Sequence, residues 1–505
     1  MVGSSATPLL SVDLGDWVAR RASTHADVVA VECGDERLTY RALDARVGTA
    51  AGRLAALGVT EGEPVGLLHA NTNDFAVFVH AITRAGAMCV PHNARLTASE
   101  IAWQLRDAGT RYLVADAEHE ALARAAIAEV RGEPGVTLLA ADDDAWRTAK
   151  PLVGPSAIPF ERPHTLMYTS GTTGRPKGAV LTHGNFYWSA VASAGNLGVD
   201  PEDCWLACLP LYHVGGLSIL LRSAIYGTTA VIHERFDEAR AVHALRDERI
   251  TLLSVVATML QRMLALDDAG YPETVRAIIV GGGPVPRMLL EASAARGLPV
   301  LQSYGLTETA SQLTTLGASD ALRKIGSAGL PLPGSTVRID VDGREAEANE
   351  VGEILVAGPT VFAGYLHRPD ATAEAIRDGW LHTGDLGSLD DEGYLTIADR
   401  RDDLIVTGGE NVYPAEVEAA LLAFEGIEEC AVVGLPDERW GALVVAVLVA
   451  AAGATVDETA LDAHLRARLA GYKLPRRIQV SAEPLPRTAS GKVQRHLVRE
   501  RLLEG

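Results

Sequence analysis

Apolar residues recur through the first two thirds of this 505-residue chain in two alternating textures. Apolar positions three and four apart predict helices over Leu14 to Thr24, Tyr40 to Leu57, Asn73 to Ala87 and Glu100 to Ala108. Short continuous apolar runs predict buried strands at Pro64 to Leu68, Cys89 to Pro91 and Arg111 to Ala115, with a strand pair around Val28 to Leu38. The alternation resumes with strands at Cys204 to Leu209, Thr229 to Ile232, Leu252 to Val255, Ala277 to Val280 and Val300 to Ser303. Helices over Asp237 to Glu248 and Pro286 to Ala295 lie between them. Such a pattern implies parallel sheet covered on both faces, with ligands beyond the carboxyl ends of the strands. Polar, glycine-rich segments stand at several of those ends: SGTTG, LPLYH, GGGP and SYGLTE.

After about Pro331 the pattern shortens to strands and turns (TVRID, GEILVAG, GWLHTGD, YLTIADR), which predicts a smaller β-rich unit. From Arg400 it becomes a compact α+β arrangement. The expected fold class is therefore α/β. A large N-terminal domain, residues 1–399, has two αβ-layered subdomains and a small β-rich one. A small α+β C-terminal domain, 400–505, follows a boundary at Asp399-Arg400. No internal repeat is visible.

Apolar and charged content are ordinary for a soluble globular enzyme, and the net charge is −20. That charge excludes nucleic acid and anionic membrane as principal partners, and it obliges any anionic substrate to be met by local cations. Five cysteines in mostly apolar settings read as buried thiols of a reducing compartment. The opening segment lacks a basic stretch followed by an apolar one. The longest apolar run, Ala442 to Ala452, is too short to span a bilayer. A cytoplasmic protein without a membrane span is expected, and a homo-oligomer is left open.

The densest chemistry lies in Thr165 to Asn185, TLMYTSGTTGRPKGAVLTHGN. Gly171, Gly174 and Gly178 allow tight backbone turns that bring N–H groups to an anion. Thr169, Ser170, Thr172 and Thr173 add hydroxyl donors, and Lys177 adds a point charge suited to phosphate. Pro176 before the lysine and Gly178 after it break the Walker pattern. The segment is a phosphate cradle of another kind.

Further on, Tyr304 offers a flat face for a base, Thr307 a hydroxyl for a phosphate, and Glu308 a hard oxygen for Mg2+. Glu308 has a plainer reading, as a solvated charge at a loop end. Asp385 in LHTGD could accept hydrogen bonds from a ribose diol or cap a turn. Arg400 and Arg401 could pair with Asp402 and Asp403. Lys492 in PRTASGK could be a surface lysine, and His213 in LPLYHVGG a satisfied core histidine.

Taken in order, TSGTTGRPKG, YGLTE, LHTGD, DRRDDLIVTGGENVYP and PRTASGK resemble the adenylate-forming superfamily of acyl-CoA synthetases, luciferases and peptide-synthetase adenylation domains. LTYRALDARV and AGAMCVPHN extend the resemblance over nearly the whole chain. It implies a ligase that binds ATP with Mg2+, a small carboxylic acid and coenzyme A, and whose C-terminal domain moves between two half-reactions. The carboxylate first attacks the α-phosphate to give acyl-AMP and pyrophosphate, and a thiol then attacks the acyl carbon. The resemblance places Lys492 on the reacting carboxylate and phosphate, the 169–177 loop on pyrophosphate, Thr307 on the AMP phosphate and Mg2+ on Glu308. It puts adenine between Gly282-Gly283-Pro284 and Tyr304, beside Ser303, and the ribose on Asp385 and Arg400. Asp399 becomes the hinge, and Gly408-Gly409 lines the pantetheine tunnel.

LPLYHVGGLSILLRSAIYG, QSYGLTETASQ and KIGSAGLPLPG look most like o-succinylbenzoate–CoA ligases of menaquinone synthesis. Their acid carries a second carboxylate, for which Arg222, Ser218 and Ser311 are candidate partners, with His213 also at the acid. Arg222 could instead be a helix arginine snorkelling to solvent. Fatty or aromatic acyl-CoA synthetases share most of these motifs, and an enzyme loading a carrier protein is a further alternative.

Overall fold

The computed structural model describes residues 14–130, 135–169, 176–266, 269–283, 285–399, 404–451, 455–486 and 493–504. Two large sheets build the N-terminal part. In one, Thr137–Ala140, Tyr112–Ala115, Pro64–Leu68, Met88–Pro91 and Pro163–Thr169 lie parallel in that order. Lys177–Thr182 and Gly364–Tyr365 extend its edge antiparallel. In the other, Val29–Cys33, Thr229–Ile232, Cys204–Ala207, Leu252–Val256, Ala277–Gly281 and Val300–Tyr304 run parallel in that order.

Continuous apolar runs form these strands because both faces are covered. Trp205, Ala207, Ala277 and Ile279 feed one core cluster, while Cys204, Leu206, Ile278 and Val280 feed another on the opposite face. The expected strands and helices all form, most of them shifted at an end by up to three residues. The short strands after Pro331 do not make a separate sheet. Thr314–Leu316 and Ser327–Pro331 splice them antiparallel onto Val300–Tyr304, giving one fifteen-stranded sheet. A change of texture along the chain marks a change of strand direction here, not a break in hydrogen bonding.

From Ile405 onward the chain has its own small sheets. Ile405–Thr407 pairs with Glu410–Val412, and Ile427–Asp437, Gly441–Ala450 and Arg477–Ser481 form a three-stranded sheet. Val432, Val444, Ala446 and Leu448 pack with Val417, Leu461 and Leu465 on one side of that sheet. Val433, Val445 and Val447 pack with Val498 and Leu502 on the other.

A buried lysine ties this unit to the larger part. The helix Ala98–Ala108 begins with a capping box in which Glu100 Oε2 accepts from the Thr97 backbone and hydroxyl. Its other oxygen, Oε1, accepts from Lys473 Nζ at 2.6 Å, and the same ammonium donates to Glu416 Oε1 at 2.8 Å. Lys473 is 3 % exposed. Burial pulls its pKa down, but Glu416 and Glu100 outweigh burial and hold it above the ordinary lysine value. Glu416 has the opposite balance, with burial pushing its carboxyl up despite Lys473.

Lys473→Met leaves two carboxylates facing each other across the interface, a change that costs about 3–5 kcal/mol when the pair is buried. The C-terminal unit is expected to leave this orientation, read as a longer distance between fluorophores placed on the two units. An unchanged distance distribution contradicts the assignment.

His80, His92, His164, His183 and His233 are all buried, and burial is the principal cause that lowers the pKa of each. His80, His92 and His233 fall to about 4 and His183 to about 3. A histidine depressed in the fold takes up its proton on unfolding, so its stabilisation is complete above the ordinary value near 6.5 and is lost as pH falls toward the folded value. Each costs about 1.4 kcal/mol per pH unit in that window. His119, raised by the hydrogen bond it donates to Asp116, offsets part of the loss. The thermal midpoint is expected to fall steadily between pH 6.5 and 4.5, and a flat profile contradicts this reading.

Candidate active site

A cleft of about 1180 Å³ opens at the carboxyl ends of both parallel sheets and is closed on one side by the C-terminal unit. Asn71, Asn93, Thr169, Leu209, Val256, Gly282 and Gly305 line it, each within a few residues of a strand end. Thr307, Glu308, Ser303, Asp385, Lys177, His213, Arg222, Ser311, Gly408 and Gly409 line it too. Of the sequence candidates, Ser170, Gly171, Thr172, Thr173, Gly174, Pro284, Arg400 and Lys492 lie outside the described residues.

The described ends of the cradle lie on two paired strands. Thr169 and Lys177 face each other as register partners at the ends of Pro163–Thr169 and Lys177–Thr182. The Thr169 hydroxyl lies 3.5 Å from Glu308 Oε1, and the same oxygen accepts from the Tyr365 hydroxyl at 2.8 Å. Burial pushes the Glu308 carboxyl up, and the hydrogen bonds from Tyr365 and Thr169 work against it. Glu308 has no ion-pair partner among the described residues, and no cluster of three metal-ligating side chains occurs among them. A single acid at a phosphate cradle suits Mg2+, which keeps waters and phosphate oxygens around itself and needs few protein ligands.

Behind this corner, Gly305 lies against the backbone of the following turn. A Cβ at Gly305 would stand 1.7 Å from the Ser311 carbonyl oxygen, so no other residue fits. The turn is strained, with Ala310 and Ser311 at φ 52° and 93°. Asp385 is buried and its Oδ2 accepts from the Tyr304 hydroxyl at 2.7 Å. Tyr304 is itself only 5 % exposed. Its place is behind Asp385, whose carboxylate it orients. Gly282 lies on the cleft wall with φ +80°, and Gly283 is its neighbour in the same turn. The Ser303 hydroxyl is already donated to the Thr314 carbonyl at 3.0 Å.

On the opposite wall, Arg222 is 3 % exposed on the helix Val214–Tyr226. Its Nη2 donates to Ser189 Oγ at 3.0 Å and the guanidinium lies over the Trp205 ring, 5.7 Å from its centroid. Nε has no partner, and burial holds the pKa below the ordinary arginine value. Among the described residues no carboxylate pairs with it. Ser218 sits one turn back on this helix, buried, with its hydroxyl donated to the Val214 carbonyl. That leaves it without the free donor expected of it.

Glu410 closes the domain side. It follows Gly408-Gly409 in the hairpin turn and is 2 % exposed. Oε1 accepts from Arg95 at 3.0 Å and Tyr212 at 3.1 Å, and Oε2 pairs with His213 Nε2 at 3.0 Å and accepts from Asn93 at 3.3 Å. Burial alone would raise its pKa, but His213 and Arg95 overcome it and bring the carboxyl to about 2. Sequence reasoning missed Glu410, Arg95, Tyr365 and Lys473. The GGE motif held the first in plain view, but its partners lie 197 and 315 residues away and only the fold pairs them.

Residues 18–366 match the AMP-binding enzyme family and 416–492 its C-terminal domain. A 2-succinylbenzoate–CoA ligase of Geobacillus sp. (strain WCH70) is 43% identical over 492 residues, covering 97% of this chain and 98% of that protein. The o-succinylbenzoate CoA synthetase of Bacillus subtilis, as a double mutant bound with its product analogue OSB-NCoA, superposes with TM-score 0.92 at 39% identity, covering 97% of this chain and 99% of the other. The same synthetase in complex with the acyl-adenylate intermediate OSB-AMP gives 0.75 at 39% identity, with 97% and 98% covered. Match, geometry and full-length similarity agree: the chain belongs to the AMP-binding enzyme family.

Proposed function

We propose that this protein is an ATP-dependent ligase that joins 2-succinylbenzoate to coenzyme A through an acyl-adenylate. Arg222 carries the choice of acid. A buried guanidinium in the cleft with an unpartnered Nε and no carboxylate against it calls for an anionic group on the substrate. The acid that full-length relatives are named for has two carboxylates, one to be activated and one left for Arg222.

The first step forms a bond between a carboxylate oxygen and the α-phosphorus and releases pyrophosphate. Both reactants are anions, so positive charge must be fixed where they meet. In this reading Lys492 supplies it, Lys177 and the hydroxyls of Thr169, Ser170, Thr172 and Thr173 hold the departing phosphates, and Thr307 holds the α-phosphate. Asp385, oriented by Tyr304, takes the ribose, with Arg400. Adenine lies along Gly282-Gly283-Pro284. Glu308 holds Mg2+, which neutralises phosphate charge when bound. In the second step the thiol sulfur attacks the acyl carbon and AMP leaves. Gly408 and Gly409 then line the thiol's path, and His213 is drawn aside by Glu410. The two TM-scores to one relative, 0.92 and 0.75, support a present domain orientation suited to this second step. The moving part is residues 400–505, turning about Asp399. The five free cysteines, four of them buried, suit the cytoplasm; among the described residues no helix is long and apolar enough to cross a membrane.

Arg222→Met is expected to lower kcat/KM for 2-succinylbenzoate at least about 100-fold, the scale of a lost buried charge pair, and to spare monocarboxylic acids. The measurement is CoA-dependent AMP release over a panel of acids. Fatty acids turned over well by the wild type, with 2-succinylbenzoate ignored, contradict the assignment.

Lys492→Ala is expected to lose acyl-adenylate formation while still converting supplied acyl-adenylate and CoA to thioester. Single-turnover assays of each half separate the two, and equal losses contradict the role given to Lys492.

A further inference from the structure

One side chain in the cleft touches both halves of the phosphate corner and belongs to neither motif. Tyr365 donates its hydroxyl to Glu308 Oε1 at 2.8 Å. Its ring face lies 5.3 Å from Lys177 Nζ, within reach of a cation–π attraction. We infer that Tyr365 is a positioning residue for the nucleotide's metal and phosphates, setting the carboxylate of Glu308 and the ammonium of Lys177 against one rigid ring. The inference rests on the nucleotide site proposed above.

The backbone around Tyr365 is built to hold it still. The two-residue strand Gly364–Tyr365 pairs antiparallel with the cradle's second strand, Tyr365 opposite Ala179. Lys177 is two residues from Ala179, on the same face and diagonal to Tyr365, where a long side chain meets an aromatic ring. Leu366 N–H donates to the Gly178 carbonyl at 2.8 Å and Tyr365 N–H donates to Thr372 Oγ1 at 2.9 Å. Gly364 adopts φ +129°, and a Cβ there would meet Thr372 at 2.6 Å, so this close approach requires glycine. Phe362 packs edge-on to the Tyr365 ring and donates its N–H to the Glu308 carbonyl at 2.9 Å. The short edge strand thus ties the metal-facing acid and the phosphate lysine to one sheet, although they lie 131 residues apart in sequence.

A ligand's orientation depends on what hydrogen-bonds to it from behind, and loss of such a partner commonly costs about 10–100-fold in metal affinity or activity. Tyr365→Phe keeps the ring over Lys177 and removes only the hydroxyl. It is expected to weaken, about 10–100-fold, the Mg2+ dependence of binding of α,β-methylene-ATP, followed by calorimetry, while AMP binding without metal is unchanged. Tyr365→Leu, which also takes the ring from Lys177, is expected to weaken the analogue in the absence of Mg2+ as well. In single turnovers both variants slow adenylation and leave thioester formation from supplied acyl-adenylate intact. A Tyr365→Phe protein with the wild-type Mg2+ dependence overturns the inference alone. A wild-type protein whose analogue binding ignores Mg2+ overturns the nucleotide reading, and the inference with it.

Discussion

Electrostatic repulsion sets the terms for this cleft and for the contact between the two units. In the proposed reaction a chain of net charge −20 seats a nucleotide, a dicarboxylic acid and a phosphorylated thiol in one cleft. Its long-range field works against all three, so attraction must come from single cations in low-dielectric places, where charges act most strongly. Arg222 is such a cation, 3 % exposed and paired with no acid among the described residues. The acids that line the cleft are handled in the opposite way. Glu410 is matched to Arg95 and His213, Asp385 is held by Tyr304, and Glu308 is left for a metal.

The same economy governs the contact between the two units. Lys473 against Glu100 and Glu416, and Glu410 against Arg95, Tyr212 and His213, place paired charges there beside the apolar cluster that Ala470 joins. Interfaces that must open and close within one chain are typically polar, since their groups can be rehydrated on parting. Glu100 shows how the fold prepares such a contact. One oxygen is committed to capping its own helix, which fixes the other where Lys473 arrives.

Much of the fold could be read from the chain because the parallel strands are buried on both faces and so appear as unbroken apolar runs. Cys204–Ala207 and Ala277–Gly281 are of this kind. The β-rich region was legible as strands but not as a continuation of the same sheet, because pairing of Thr314–Leu316 with Val300–Tyr304 depends on a strained turn at Ala310 and Ser311 that no periodicity announces. In the cleft, motif residues such as Thr307, Glu308 and Asp385 were legible as chemistry. Tyr304 was legible as an aromatic ring, but its position behind Asp385 was not. Ser218 read as a donor, but a helical serine can spend its hydroxyl on the carbonyl four residues back, and this one does. Tyr365 and Lys473 escaped because their meaning lies in partners brought together only by sheet pairing and domain contact.

In the proposed reaction a dicarboxylic acid is activated on the nucleotide before the thiol takes part. Exchange of labelled pyrophosphate into ATP isolates that step. With 2-succinylbenzoate and Mg2+ but no coenzyme A, the wild-type protein should catalyse exchange, and omitting the acid should abolish it. Exchange that requires coenzyme A, or that proceeds with fatty acids and not with 2-succinylbenzoate, contradicts the account.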